Sequence, residues 1–139
     1  MYARNYYKLL AQFMERYLLK EEDMIFVDNI ADWCRKCGIP EQDEERPFKF
    51  ITRQRDSSKM LIKEDITEKI LDERLNGLSI RGQLLSVARD RSELLNSDEK
   101  KLAYLFLSEI ARGLYDMNDE LHADNWAFEE MEKGGFFKN

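Results

Sequence analysis

The stretch SDEKKLAYLFLSEIARGLYDMNDEL, residues 97–121, decides the fold that the sequence predicts. At about 100° per residue, its apolar side chains fall on one broad face of a helix: Leu102, Ala103, Phe106, Leu107, Ile110, Leu114, Met117 and Leu121. A face of that width is typical of a helix that is buried against several neighbours. Ser97 is the expected N-cap, and Asp98 and Glu99 follow in the first turn, where the helix dipole favours negative charge. The stretch therefore predicts a long central helix.

The composition favours helices on both sides of this stretch. Of the 139 residues only 6 are Gly and 2 are Pro, so residues that break helices are scarce. Apolar residues recur at helical spacing over residues 4–20, 21–37, 60–76 and 80–95, and a short final helix is expected after Asp124. The sequence therefore predicts a single all-α domain over residues 1–139, a compact bundle of five or six helices around the central one.

Three short segments interrupt the helical pattern. Residues 40–47, PEQDEERP, form an acidic loop that is bounded by two prolines. Residues 48–52, FKFIT, partly alternate between apolar and polar and fit either a short strand or an extended connection. The tail at residues 134–139 begins with two glycines that suit a helix end. We expect this tail to be mobile unless its phenylalanines pack on another element or another subunit.

The sequence contains no signal for a membrane or for secretion. No apolar run approaches the roughly 20 residues that a bilayer-spanning helix requires, and the first residues lack the apolar core of a signal peptide. Two cysteines and one histidine cannot provide the four ligands of a structural zinc site without carboxylates. We therefore expect a cytoplasmic protein with reduced thiols and no membrane partner.

The charge is unevenly distributed along the chain. The net charge is −6, yet residues 46–91 carry more basic than acidic side chains, whereas both flanking regions are acidic. Between residues 46 and 63 the aromatic residues Phe48 and Phe50 alternate with six basic side chains: Arg46, Lys49, Arg53, Arg55, Lys59 and Lys63. Since bases stack on aromatic rings and cations hold phosphates, this segment is a candidate nucleic-acid-binding site. The simpler alternative is a solvated, charged loop.

Acidic residues along the predicted central helix suggest a second candidate site. Glu109, Asp116 and Glu120 are spaced at i, i+7 and i+11, which places them in one line at the border of the apolar face. Carboxylates in such a line can hold Mg²⁺ or Mn²⁺. Arg91 lies in the middle of the apolar face of the helix predicted over residues 80–95, so a buried ion pair between Arg91 and Glu109 is the alternative that we favour.

One local stretch resembles a known family. Residues 25–37, IFVDNIADWCRKC, resemble the redox stretch of thioredoxins, in which a strand carrying an Asp precedes a Trp-Cys-x-x-Cys motif. The resemblance implies that Cys34 is a nucleophilic thiolate, Cys37 the resolving thiol and Asp28 a buried acid. Helical periodicity through both cysteines places them instead at a helix C-terminus. It predicts core thiols, which is the interpretation that we favour.

The function that these observations favour is a non-catalytic protein-binding or assembly module that forms a homodimer or binds another protein. Aromatic residues outside the predicted core support it, namely Tyr2, Tyr7, Trp126, Phe136 and Phe137. Two alternatives stay open. One is an accessory protein that binds nucleic acid through residues 46–63, and the other is a Mg²⁺- or Mn²⁺-dependent all-α phosphohydrolase that uses the carboxylates of the central helix. We expect no other cofactor.

Overall fold

A computed structural model describes residues 1–52, 58–82 and 95–136, together with their side chains except at residues 76–82, 120 and 121. Among these residues the α-helices are α1 (Tyr7–Arg16), α2 (Ile30–Lys36), α3 (Glu68–Gly82), α4 (Asp98–Gly113) and α5 (Glu120–Lys133). The strands are β1 (Met24–Val27), β2 (Phe48–Thr52) and β3 (Ser58–Lys63). Short 3₁₀ helices, Ala3–Tyr6 and Glu21–Asp23, precede α1 and β1.

The fold belongs to the α/β class, so the prediction of an all-α bundle is wrong. The strands form one mixed sheet in the order β1-β3-β2. The central strand β3 pairs in parallel with β1, where Met24 lies opposite Met60, and antiparallel with β2, where Phe48 lies opposite Ile62. The stretch FKFIT is therefore a strand whose partner follows it in the sequence.

Two of the predicted helices fall on strands. Residues 21–37 contain a 3₁₀ helix, then β1, and only then α2, while residues 60–76 contain most of β3 before α3 begins. The strands β1 and β3 have only 4 and 6 residues, and the centre of β3 is a continuous buried run of Met60, Leu61 and Ile62. Such a run, buried on both faces, lacks the alternation that distinguishes a strand from a buried helix.

The chain divides into two compact units, Met1–Leu71 and Asp72–Asn139. In the first unit α2 packs against the sheet through an apolar cluster that comprises Val27, Ile30, Cys34, Ile51 and Leu61. The first residues of the chain run beside the residues after β3: the backbone N–H of Ala3 donates to the carbonyl of Glu64 at 2.8 Å, and that of Ile66 donates to Met1 at 2.9 Å. These bonds fix the start of the chain next to the sheet.

The second unit contains the stretch that was predicted as the central helix. Residues 102–111 of α4 are all buried, as a helix with neighbours on all sides requires, and the Ser97 side chain accepts the N-cap hydrogen bond from the Lys100 N–H. The predicted length is wrong, because α4 ends at Gly113 and α5 begins at Glu120. The two helices pack together, and their contact includes a buried hydrogen bond from the Tyr104 hydroxyl to Asp124.

Three helices end in the same backbone motif. After the C-cap residue comes a residue with positive φ, which is Leu18 after α1 (61°), Gly38 after α2 (73°) and Gly135 after α5 (84°). In each case the N–H of the following residue donates a hydrogen bond to the carbonyl five residues earlier in the chain, as from Leu19 to Met14 at 2.8 Å. This hydrogen-bond pattern is that of a Schellman motif. Glycine is the usual residue there because a side chain disfavours this backbone conformation. The chain therefore uses glycine at two of these ends and leucine at the third.

Substitutions at these equivalent positions should differ in their effect on stability. We expect Leu18→Gly to leave the free energy of unfolding unchanged or to raise it by up to about 1 kcal/mol, because strain is removed while chain entropy in the unfolded state increases. Gly38→Ala should lower it by about 1 kcal/mol, since a Cβ at this position would meet no atom within 4 Å and only backbone strain is added. Urea denaturation measures the free energy of unfolding of both variants. A clear destabilisation by Leu18→Gly would contradict the strained, positive-φ backbone assigned to Leu18.

Candidate protein-binding surface

Helix α1 has one buried side and one outward side. Leu10, Phe13 and Met14 are buried. On the other side the residues at i, i+3, i+4 and i+7 form a stripe that we call the α1 stripe: Lys8, Ala11, Gln12 and Glu15. Lys8, Gln12 and Glu15 are exposed and Ala11 is half-buried. The amphipathic pattern of residues 4–20 therefore produces a helix whose outward surface is polar but contains a small residue near its middle.

The α1 stripe lines a shallow groove. The groove has a volume of about 460 Å³, and Tyr7, Leu19 and Glu21 complete its walls. Apolar surface from Tyr7, Ala11 and Leu19 thus lies beside charged groups of both signs. We refer to these seven residues as the α1 groove.

Tyr7 is held in this groove by contacts with two other residues. Its ring stacks on Phe26 of β1 with a centroid separation of 6.1 Å, and its hydroxyl donates a hydrogen bond to the Glu21 carboxylate. The Arg4 guanidinium lies 4.6 Å from the centroid of the same Phe26 ring and donates two hydrogen bonds to Glu64, at 3.1 and 2.8 Å. The hydrogen bond to Glu21 raises the pKa of Tyr7. One wall of the groove is therefore held by contacts with the sheet.

Leu18 follows the C-cap of α1 and directly precedes Leu19 of the groove, and it is 95% exposed. Exposed leucines are common, but this one also has a backbone conformation that is unfavourable for any residue with a Cβ. The sequence pattern did not predict it, because the apolar spacing over residues 4–20 fits one uninterrupted helix, whereas α1 ends at Arg16. The available signal was the end of the apolar periodicity at Tyr17 with no glycine after it.

The described part of the basic segment is held by acidic groups and carbonyl oxygens of the same unit. Lys49 Nζ lies 2.7 Å from Glu41 and Arg46 lies 3.9 Å from it, while Lys59 lies 4.0 Å from Asp23. Lys63 donates to the Asp28 carbonyl at 2.8 Å. Burial raises the pKa of Glu41, but the Lys49 hydrogen bond, the Asp43 N–H and the charges of Lys49 and Arg46 outweigh it, so that the pKa is lowered overall.

The aromatic members of this segment do not have the exposure that base stacking requires. Phe48 and Phe50 are both buried in the sheet. Arg53 and Arg55 lie outside the described residues. Nucleic-acid binding through residues 46–63 therefore stays a prediction.

The predicted line of carboxylates depended on one continuous helix. Glu109 is buried within α4, but Asp116 is exposed in the connection after that helix and has a φ of 54°. Glu120 is the first residue of α5, and its side chain lies outside the description. Among the side chains that are described, no group of three His, Cys, Asp or Glu residues is placed to hold a metal ion. The Mg²⁺ or Mn²⁺ site stays a prediction without its original geometric basis.

The buried ion pair was predicted between Arg91 and Glu109. Glu109 is buried, with an exposed fraction of 8%, and it interacts with other groups of the protein. Arg91 lies outside the described residues. The pairing of these two side chains therefore stays a prediction.

The cysteine motif differs from that of thioredoxins in its position on the helix. A strand, β1, does precede it, but Cys34 is the fifth residue of α2 and Cys37 is its C-cap, so both lie toward the end of the helix that disfavours a thiolate. Asp28 is exposed rather than buried. Cys34 is buried in the core, and burial raises the pKa of its thiol although nearby Lys49 opposes this effect.

Comparison of the chain with protein-family models, with curated proteins and with solved structures found no match. A functional assignment therefore depends on the site geometry.

No helix in the part of the chain that the structure describes has the length and apolarity needed to cross a membrane.

The hydrogen bond between Tyr7 and Glu21 should be visible in a titration of the phenols. Because the folded-state pKa of Tyr7 is raised, this bond stabilises the fold below about pH 10, and the contribution is lost as the pH rises through the folded pKa. We expect one phenol of the native protein to ionise at higher pH than the same phenol in Glu21→Gln. Ultraviolet difference absorbance of both proteins, with Tyr7→Phe to assign the signal, measures this. Identical curves for the wild-type protein and Glu21→Gln would contradict the contact.

The two thiols should differ in reactivity. Because Cys34 is buried with a raised pKa while Cys37 is half-buried, we expect a disulfide reagent at pH 8 to modify Cys37 first and Cys34 only on unfolding. Absorbance of the released thiolate measures the rates. The fast phase of thiolate release, which we assign to Cys37, should remain in Cys34→Ala and disappear in Cys37→Ser. A fast phase that requires Cys34 would instead support the redox interpretation.

Proposed function

We propose that this protein is a non-catalytic protein-binding or assembly module that contacts a second protein chain through the α1 groove and Leu18. Leu18 carries the proposal, because its side chain is almost fully exposed on a backbone that a glycine would adopt with less strain. Residues with a strained backbone cluster at functional sites, and burial of a leucine side chain by a partner stabilises a complex by about 1.5–3 kcal/mol.

The composition of the α1 groove supports this proposal. It combines the ring of Tyr7 and the side chain of Leu19 with the charges of Lys8 and Glu15. Interfaces between proteins have this mixture of aromatic and aliphatic surface with a polar rim. The contacts of Tyr7 with Phe26 and Glu21 hold part of the surface in place before a partner arrives, which reduces the entropy that binding must overcome.

Neither of the alternative functions gains a specific observation. The described cations of residues 46–63 have acidic or carbonyl partners, and the carboxylates proposed for metal binding are not in one line on a helix. We retain a cytoplasmic location as part of the proposal, because both cysteines carry thiols, as is usual in a reducing compartment.

Photo-cross-linking from the α1 groove tests the proposed function. A photoreactive amino acid at position 12 should give covalent adducts with a protein in cells that express the chain. Because the loss of one buried leucine weakens a complex about tenfold or more, Leu18→Gly in the same protein should largely remove these adducts. Gel electrophoresis and mass spectrometry measure their yield and composition.

The same photoreactive amino acid at position 36 provides the control, because Lys36 is exposed at the end of α2. Equal adduct yields from positions 12 and 36, or adducts from position 12 that persist in Leu18→Gly, would overturn the proposal.

A further inference from the structure

Resting on the proposed function, we infer that the partner of the α1 groove is a second copy of this chain, bound so that the two α1 helices lie antiparallel around a two-fold axis between residues 11 and 12. The observation behind this inference is the order of charges along the α1 stripe. It begins with Lys8, continues through Ala11 and Gln12, and ends with Glu15. Read in the opposite direction, the same stripe presents its charges with reversed signs.

Antiparallel pairing makes the stripe complementary to itself. Lys8 and Glu15 lie equally far from the midpoint between residues 11 and 12, so the two-fold axis places Lys8 of each copy opposite Glu15 of the other. Two symmetric ion pairs follow from a single contact, which is the property of an isologous interface. A parallel arrangement would instead bring each lysine next to the other lysine, and like charges in contact are unfavourable.

The charged ends of the stripe are available for such pairs. Within the residues that the structure describes, neither Lys8 nor Glu15 forms an ion pair, although Arg4, one turn before Lys8, pairs with Glu64. Ala11 at the centre presents only a methyl group, which permits close approach of two helices.

The apolar residues of the site fall at the ends of the same contact. In the antiparallel register, position 18 of one copy lies opposite position 5 of the other, so Leu18 comes close to the start of the neighbouring α1. Tyr7 is there, and it is exposed enough to receive a leucine side chain. The proposed interface thus contains the α1 stripe in its middle and one contact of Leu18 with Tyr7 at each end. This gives the exposed leucine a specific apolar neighbour in the second copy.

Charge reversal tests this register. Two single variants are needed, Lys8→Glu and Glu15→Lys. Each one places like charges in both symmetric pairs of its own homodimer. We expect each variant to dimerise about tenfold or more weakly than the wild-type protein. An equimolar mixture of the two variants restores opposite charges in both pairs and should form a heterodimer as tightly as the wild-type homodimer. Sedimentation velocity of the full chain over a concentration series measures all four samples.

Lys36→Glu is the matched control, since it reverses one exposed lysine on α2 and should leave the dimer unchanged. A wild-type protein that stays monomeric, or a mixture that stays as weak as its components, would overturn the inference. The proposed function is judged separately. If the wild-type protein is monomeric and the Leu18-dependent adduct from position 12 contains a different protein, the surface binds a heterologous partner. If no such adduct forms either, both proposals fail.

Discussion

The pairing of β3 with a strand on each of its sides is the interaction on which the first compact unit depends. The middle of β3 is fully buried. This strand pairs with β1 in parallel and with β2 in antiparallel orientation. The register sets Phe26 opposite Ile62, which places the aromatic ring on which Tyr7 stacks and over which Arg4 lies. The wall of the α1 groove is therefore a consequence of strand register, because a shift by one residue would move Phe26 to the other face of the sheet.

The sequence predicted local features well and non-local pairing poorly. The buried character of α4, the Ser97 N-cap and the terminating glycines at 38 and 135 follow from residue type and spacing within a few positions. The parallel pairing of β1 with β3 joins residues that are separated by α2 and β2, and no local pattern encodes it. Once β1 and β3 were read as helical, the all-α class followed, although β1 contains Ile25, Phe26 and Val27, which favour strands.

The candidate sites failed or stayed open for a related reason. The acidic loop at residues 40–47 was expected only to connect two elements, yet its Glu41 side chain is largely buried and accepts a hydrogen bond from the Lys49 ammonium at 2.7 Å. A strongly basic segment can therefore be neutralised by an acidic segment that precedes it, and net charge counted along the chain does not reveal this. The cysteine motif shows the same limit, because the position of Cys34 within α2 depends on where the helix begins, at Ile30. Sequence spacing alone did not locate that start.

The dimer proposed through the α1 groove would be a reversible association rather than a permanent one. The ion pairs proposed between two copies would be exposed, and exposed pairs contribute only about 0.2–1 kcal/mol each, so they would select the register more than they determine the affinity. Most of the free energy of binding must then come from the burial of Leu18 and Tyr7, which is too little apolar surface for an obligate dimer. The backbone strain at Leu18 is the same in the monomer and in a complex, since the end of α1 fixes this backbone. In the proposed dimer, binding would remove its side chain from water without changing that backbone, so the leucine would contribute to affinity without a conformational change.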